Sequence, residues 1–221
     1  MITSKRIYVI NPNCLEAVTA AIDSAVERFR IYPAIEFECL TLKDGPAGVQ
    51  TQVDADHVIP KLSARVDQLE EQASAFVIAC FSDPGIHSIR ERTSKPVVGI
   101  GEAAMMTACT LGQRIGVIAI SSKSIPRHLR YYGSIGLLGR LANERPIDLT
   151  VAETSDEKLT LKRMIEVGAQ LHQEDGADVL VMGCAGMARL RVALQQAVGV
   201  PVVEPCQAAA GMALGRVVGG W

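Results

Sequence analysis

Two cysteines stand at matched points of this chain. Cys80 ends the apolar run AFVIAC (75–80), and Cys184 ends VLVMGC (179–184), 104 positions later. Turn-forming or small residues follow each: Phe81-Ser82-Asp83-Pro84-Gly85 after the first, Ala185-Gly186-Met187 after the second. A free thiol has a pKa of about 8.5, so modest help from a helix N-terminus or backbone amides makes it a usable base near neutrality. Two thiols on opposite walls of one cleft form a symmetric acid–base pair. Moving a proton from one face of a carbon to the other requires such a pair. Ala185 and Gly186 are small enough to let a carbonyl or carboxylate approach the amides beside Cys184.

Other candidates are weighed against simpler roles. Asn11-Pro12-Asn13-Cys14 and Ser121-Ser122 also follow apolar runs, and strand ends are where α/β folds bind and react. Cysteine is among the most buried residue types, so Cys39 inside IEFECL and Cys109 on an apolar helix read as core. Cys14 and Cys206 lie near strand ends and read as cleft-adjacent, not catalytic. Gly99 and Gly101 in GIGEAA lack the third glycine of a nucleotide loop. His57, His87, His128 and His172 are scattered, form no metal spacing and read as exposed or capping groups. Asp83 before Pro84-Gly85 is most simply a turn residue. Glu102 and Glu204 follow matched strands, and burial near the cleft, solvation and capping all remain open for them.

Elements that position the thiols follow from the same comparison of halves. The halves open alike, with RIYVI at 6–10 and RIGVI at 114–118, and PVVGIGEAA (96–104) matches PVVEPCQAA (201–209). Four landmarks at a near-constant offset point to a duplication, with lobes at 1–113 and 114–221. Strands are expected at 6–10, 35–40, 75–80 and 96–100, then at 114–120, 147–152, 178–184 and 201–205. Runs 75–80 and 178–184 are apolar almost throughout, as in parallel strands covered on both faces. Between strands, Val58, Leu62, Val66 and Leu69 share one helical face, as do Leu161, Met164, Ile165 and Leu171. Ser155 or Asp156 fits as N-cap of the second of these helices. Strand–helix alternation of this kind predicts an α/β fold of two pseudo-symmetric, doubly wound lobes with parallel sheets. The active site belongs in the cleft at the carboxyl ends of their strands.

Bulk properties narrow the partners. A chain of 221 residues can bury one large core or two small ones, and a formal charge of −2 gives no reason to expect nucleic acid or an anionic membrane. No apolar run is long enough to span a bilayer, and MITSKRIYVI is too short for a signal peptide. Six cysteines without CxxC spacing suit a reduced, cytoplasmic protein.

At INPN (10–13), ACFSDPG (79–85), PVVGIGEAA (96–104) and MGCAGMA (182–188) the chain resembles the aspartate/glutamate/hydantoin racemase superfamily, most closely its hydantoin (allantoin) racemase branch. The resemblance spans nearly the whole chain, and it is the combination of CFSDPG with GCAGMA that is specific. It implies a racemase working on a small carbon acid without cofactor or metal, with Cys80 and Cys184 as the two facing thiols. One thiolate removes the proton, the other thiol protonates the opposite face, and the roles reverse for the other enantiomer. Asn11, Asn13, Phe81, Ser82, Ser121, Ala185 and Gly186 are the implied substrate contacts, and a homo-oligomer is the family habit.

Several positions depart from the pattern. Cys14-Leu15 replaces a common Thr-Ser, and Gly48-Val49-Gln50-Thr51 replaces a Ser-Ile-Glu-Gly stretch. Ala119-Ile120 precedes Ser121 where a Thr pair is common, and Val203-Glu204-Pro205-Cys206 stands near a usual Ile-Asp-Gly. Loss of these hydroxyls leaves room for a bulkier or less polar side group on the substrate. Relatives that decarboxylate arylmalonates use one cysteine, so retention of both argues against that reaction. A maleate-type isomerase, in which one thiol adds to a double bond, stays open. So does a non-catalytic two-lobed protein that closes around a small ligand.

Overall fold

The computed structural model describes residues 5–221. Two four-stranded sheets, each entirely parallel, are built with the same strand order. The first runs β2-β1-β3-β4, from β1 (Lys5–Asn11), β2 (Ile35–Thr41), β3 (Ala75–Ile78) and β4 (Val97–Gly99). The second runs β6-β5-β7-β8, from β5 (Ile115–Ala119), β6 (Leu141–Pro146), β7 (Val179–Gly183) and β8 (Val202–Val203). Val9 pairs with Val77 in one sheet and Val117 with Val181 in the other. Cys80 and Cys184 each lie three residues beyond these paired valines, so the matched spacing in sequence is also a matched position in space.

In each sheet the order reverses between the central strands, β1 beside β3 and β5 beside β7. That reversal opens a crevice at the carboxyl ends, where the connecting segments leave in opposite directions. The central strands β3, β5 and β7 are buried along their whole length, which is why they read as continuous apolar runs.

Helices cover the sheets as their periodicity requires. In α1 (Glu16–Val26), Val18, Ile22, Ala25 and Val26 face inward. In α2 (Gln52–Leu69), Val58, Leu62, Val66 and Leu69 do so, and Thr51 with Asp54 forms a capping box at its start. α3 (Ile86–Arg90) is a short turn before β4. α4 (Ile100–Ala108) crosses from the first sheet onto β7, and α5 (Ile125–Ser134) follows β5. Met164 and Leu171 anchor α6 (Glu157–Gln173), whose N-cap is Asp156, accepting from the amide of Leu159 at 3.0 Å. α7 (Arg191–Val198) and α8 (Pro205–Gly219) complete the chain.

α8 packs against α4 and returns to the first sheet, touching β3 and β4. Ala103, Ala108, Ala209, Ala210 and Ala213 are buried there, and their small side chains permit a close approach. One apolar cluster therefore runs from Val9 and Val77 through Ala209 and Ala213 to Ile118 and Met182.

One strand lies elsewhere than its sequence suggests. The apolar stretch 147–152 is loop, and the strand beside β5 is the more polar LANERP of β6. β6 is an edge strand with few buried positions, so it carries no apolar run. Its buried acid, Glu144, points inward to a polar partner, while Ile147 and Val151 bury their side chains from irregular backbone interrupted at Asp148 (φ 51°).

Candidate active site

The carboxyl ends of both sheets meet at one cleft, with about 440 Å³ of atom-free space counted out to its mouth. Asn13, Val49, Cys80, Phe81 and Ser82 line it from the first half. Ser124, Arg127, His128, Val151, Cys184 and Ala185 line it from the second. Both cysteines matched in sequence thus face the same space.

Cys80 is held by a segment with its own anchor. The amide of Asp83 donates to the Cys80 carbonyl at 2.9 Å. The Asp83 carboxylate in turn accepts the amides of Gly101 at 3.0 Å and Glu102 at 2.7 Å, capping α4. The glycines of GIGEAA serve this contact. A Cβ on Gly99 would overlap the Asp83 carboxylate, and one on Gly101 would overlap the Phe81 carbonyl. Burial pushes the Asp83 carboxyl up to about 8, outweighing the two amide hydrogen bonds that favour its charged form. Asp83 is thus more than a turn residue.

Cys184 stands at the N-cap position of a 3-10 turn, Ala185–Leu190, and the amide of Gly186 favours its thiolate. Space around Gly186 is short: a side chain there would meet Thr154 Oγ1 at 2.8 Å. Burial raises both thiols, Cys80 to about 11 and Cys184 to about 12. The opposing influences differ. At Cys80 they are the Ser82 amide, the Arg127 charge and the Ser82 hydroxyl, against the charge of Asp83; at Cys184 the Gly186 amide acts alone, against the charges of Cys80 and Glu204.

The remaining sequence candidates divide. Asn13, Phe81, Ser82 and Ala185 line the cleft; Asn11, Ser121 and Gly186 do not. Asn11 is fully buried and spends its amide on Asn13 Oδ1, Thr19 Oγ1 and the Leu15 carbonyl, while its own oxygen accepts from the Asn13 amide. It shapes the loop that presents Asn13. Asn13 Oδ1 accepts from Asn11 and Leu15, which leaves Asn13 Nδ2 without a protein acceptor among the described residues. Ser121 accepts from the Lys123 amide at 3.3 Å, and Ser124 takes the place at the cleft. Cys14 and Cys206 do not line it. Glu204 caps α8 through the amides of Cys206 and Gln207, and Glu102 is buried between Arg90 and Tyr131, which settles both in capping or paired roles.

Three residues of the site escape the sequence reading. His128 is not exposed or capping: it is buried at the cleft wall, its Nδ1 2.6 Å from Glu144 Oε1 and its Nε2 3.2 Å from Ser82 Oγ. Arg127 Nε donates to the same Ser82 oxygen at 2.8 Å. An Arg-His pair opening a helix after a central strand was the available signal, but Glu144 sits in the strand that periodicity misplaces. Among the described residues, no group of three His, Cys, Asp or Glu side chains is arranged to hold a metal ion, and no helix is long and apolar enough to cross a membrane.

The model of the Asp/Glu/Hydantoin racemase family matches residues 7–213. The chain belongs to that family. It is 35% identical over 210 residues to a hydantoin racemase of Rhizobium meliloti, an alignment covering 94% of this chain and 86% of that protein. A hydantoin racemase of Paenarthrobacter aurescens is 32% identical, with 98% and 92% covered. Among solved structures, allantoin racemase from Klebsiella pneumoniae superposes with a TM-score of 0.92 at 30% identity, covering 98% of this chain and 89% of that one. The chain is accordingly an isomerase of the racemase type, on the two-lobed fold of this family.

Proposed function

We propose that the protein racemises a hydantoin-like carbon acid by a two-thiol mechanism, with Cys80 and Cys184 serving opposite faces of the reacting carbon. The observation that carries this reading is the pair of cysteines, at equivalent strand ends of two like sheets, lining a single cleft. The names of the relatives, hydantoin and allantoin racemases, support the substrate class.

In the forward direction a thiolate takes the proton from the ring carbon that carries the side group. The resulting charge spreads into the adjacent carbonyl, where preorganised donors lower the barrier by about 3 kcal/mol each. Asn13 Nδ2 and the amides of the segments after each cysteine supply such donors from opposite walls. The second thiol then delivers a proton to the other face, and the pair is left in the state that serves the reverse reaction. Neither step calls on a metal or an organic cofactor. Val49, Phe81 and Val151 give the cleft an apolar lining suited to a side group without charge.

Proton–deuterium exchange in heavy water tests the assignment directly. Racemisation of a 5-substituted hydantoin or of allantoin, with solvent deuterium entering only at the ring carbon, is the expected result by proton NMR and polarimetry. Exchange into aspartate, glutamate or maleate, with none into any hydantoin, would replace the substrate class. No exchange into any of them would overturn the reading in favour of a binding protein.

A further inference from the structure

One cation in the cleft has no counter-ion. Arg127 lines the same space as Cys80 and Cys184 and is only 8% exposed. The carboxylates that act on it from a distance, Asp54 and Glu144, are committed elsewhere. Asp54 accepts the amides of Gln50 and Thr51, and Glu144 is paired with His128. Taking an ion out of water is costly unless a partner meets it, so a buried cation kept without one points to a partner that arrives with the ligand.

The guanidinium is also aimed. Its Nε donates to Ser82 Oγ at 2.8 Å and its Nη1 to the Gln50 carbonyl at 3.4 Å. Because the Ser82 oxygen accepts from Arg127, its one proton goes to His128 Nε2, 3.2 Å away. His128 then carries a proton on Nδ1, directed at Glu144 Oε1 at 2.6 Å. A single set of donors and acceptors satisfies all of these contacts, and the row ends at Arg127 Nη2. That atom has no protein acceptor among the described residues. Unlike the sealed, unpaired Nε of Arg191, it keeps access to solvent, through the cleft that Arg127 lines. Ser82 stands two residues beyond Cys80, which places the guanidinium at the reacting end of that cleft.

We propose that Arg127 is a catalytic residue whose Nη2 donates to the carbonyl oxygen next to the reacting carbon and holds it as negative charge moves onto it. No bond to Arg127 forms or breaks. The proton leaves carbon for a thiol, the electron pair moves into the carbonyl, and the guanidinium keeps all its protons. A cation fixed in advance needs no reorganisation as that charge develops, and it acts strongly where water is scarce. Val49, Phe81 and Val151 flank the same cleft, so the side group lies against apolar walls and the oxygen is left for the cation. Ser82, His128 and Glu144 act through Arg127 and are positioning residues.

This role rests on the proposed proton abstraction beside a carbonyl, a feature that hydantoins share with amino acids. It is therefore read on whichever of these carbon acids the unmutated enzyme exchanges in heavy water. The unmutated enzyme reports on the substrate class, and the variants report on Arg127. Arg127→Met, close in length and without charge, should lower kcat for exchange by about a hundredfold or more, with little change in KM. Arg127→Ala should regain part of its exchange when guanidinium ion is added far below denaturing concentrations. Urea, of similar shape but uncharged, should give no such rescue, and a misfolded chain could show neither response. Ser82→Ala should also lower kcat at unchanged KM, and Ser82→Thr, which keeps the hydroxyl, should restore it. Iodoacetamide labelling of Cys80, read by peptide mass spectrometry, should slow far less than exchange in Arg127→Met. Equal slowing of labelling and exchange would move the effect of Arg127 to the thiol and overturn the proposal. So would a raised KM at native kcat, the mark of a charged side group held in the ground state, or a folded Arg127→Ala that guanidinium does not rescue. Unmutated enzyme that exchanges none of these carbon acids would overturn it together with the two-thiol reading.

Discussion

The carboxylate of Asp83 accepts the amide of Glu102 at 2.7 Å, tying the segment that carries Cys80 to the start of the helix α4. A residue three positions after the thiol thus fixes its height above the sheet. The same carboxylate takes the Gly101 amide, and the two glycines nearby exist to admit it.

Gly101→Ala should therefore damage the site without touching a cleft-lining side chain. The added Cβ would overlap the Phe81 carbonyl, the residue next to Cys80, and overpacking of this kind costs about 1–3 kcal/mol. Thermal unfolding should show that loss. Turnover of the remaining folded protein should fall as well, because the Phe81 shift carries Cys80 with it. A destabilised variant with native turnover per folded molecule would mean that the Cys80 segment is not held this way.

Acid titration of the core gives a second expectation. Burial raises Asp83 to about 8 and Glu204 to about 7, both well above their values in an unfolded chain. The folded state then binds more protons than the unfolded state between those limits, so the stability these groups contribute is complete below the unfolded carboxyl range. It is lost as pH rises through 7 to 8, by at most about 1.4 kcal/mol per unit and per group. Denaturant midpoints should fall between about pH 5 and about pH 8, and Asp83→Asn should flatten part of that slope. A midpoint that rises over the interval would show that both carboxyls are ionised in the fold.

Crowding at Gly186 yields a third. Gly186→Ala would drive a methyl toward Thr154 Oγ1, 2.8 Å away, and shift the amide that favours the Cys184 thiolate. Iodoacetamide labelling should slow at Cys184 and stay unchanged at Cys80. Thr154→Ser, which removes the methyl but keeps the hydroxyl, should not rescue it, since the oxygen is the atom in the way; Thr154→Gly should. Full labelling of Cys184 in Gly186→Ala would disconnect that amide from the thiol.

The sequence makes the sheets and the thiols legible, because both rest on local and repeated signals. Central strands such as β3 and β7 are apolar end to end, and Cys80 and Cys184 follow them at one fixed spacing. An edge strand carries no such signal, so the apolar 147–152 outbids the true strand at Leu141–Pro146. That error hides Glu144, and without Glu144 nothing marks His128 as more than a surface histidine. Asn11 misleads in the opposite way. It sits in a motif that looks like a ligand contact, and its polar atoms all turn inward to build the loop. Long-range pairing of polar groups is what one sequence conceals.

Division of labour between the thiols makes the sharpest prediction. Racemisation needs one base and one acid in each direction, so Cys80→Ser and Cys184→Ser should each abolish it both ways. Exchange need not vanish with it. A variant that keeps one thiol still removes the proton from the enantiomer whose hydrogen faces that wall, then returns a solvent deuteron to the same side. Each single variant should exchange one enantiomer with retention, and the two should prefer opposite enantiomers. Their rates should differ, since Cys80 has Ser82 and Arg127 beside it and Cys184 has only the Gly186 amide, so Cys184→Ser should exchange the faster. Loss of folding cannot produce mirror-image preference. Chiral chromatography with deuterium detection by NMR reads both outcomes at once. Exchange of the same enantiomer by both variants, or racemisation near the native rate in either, would remove Cys80 and Cys184 from opposite faces of the carbon.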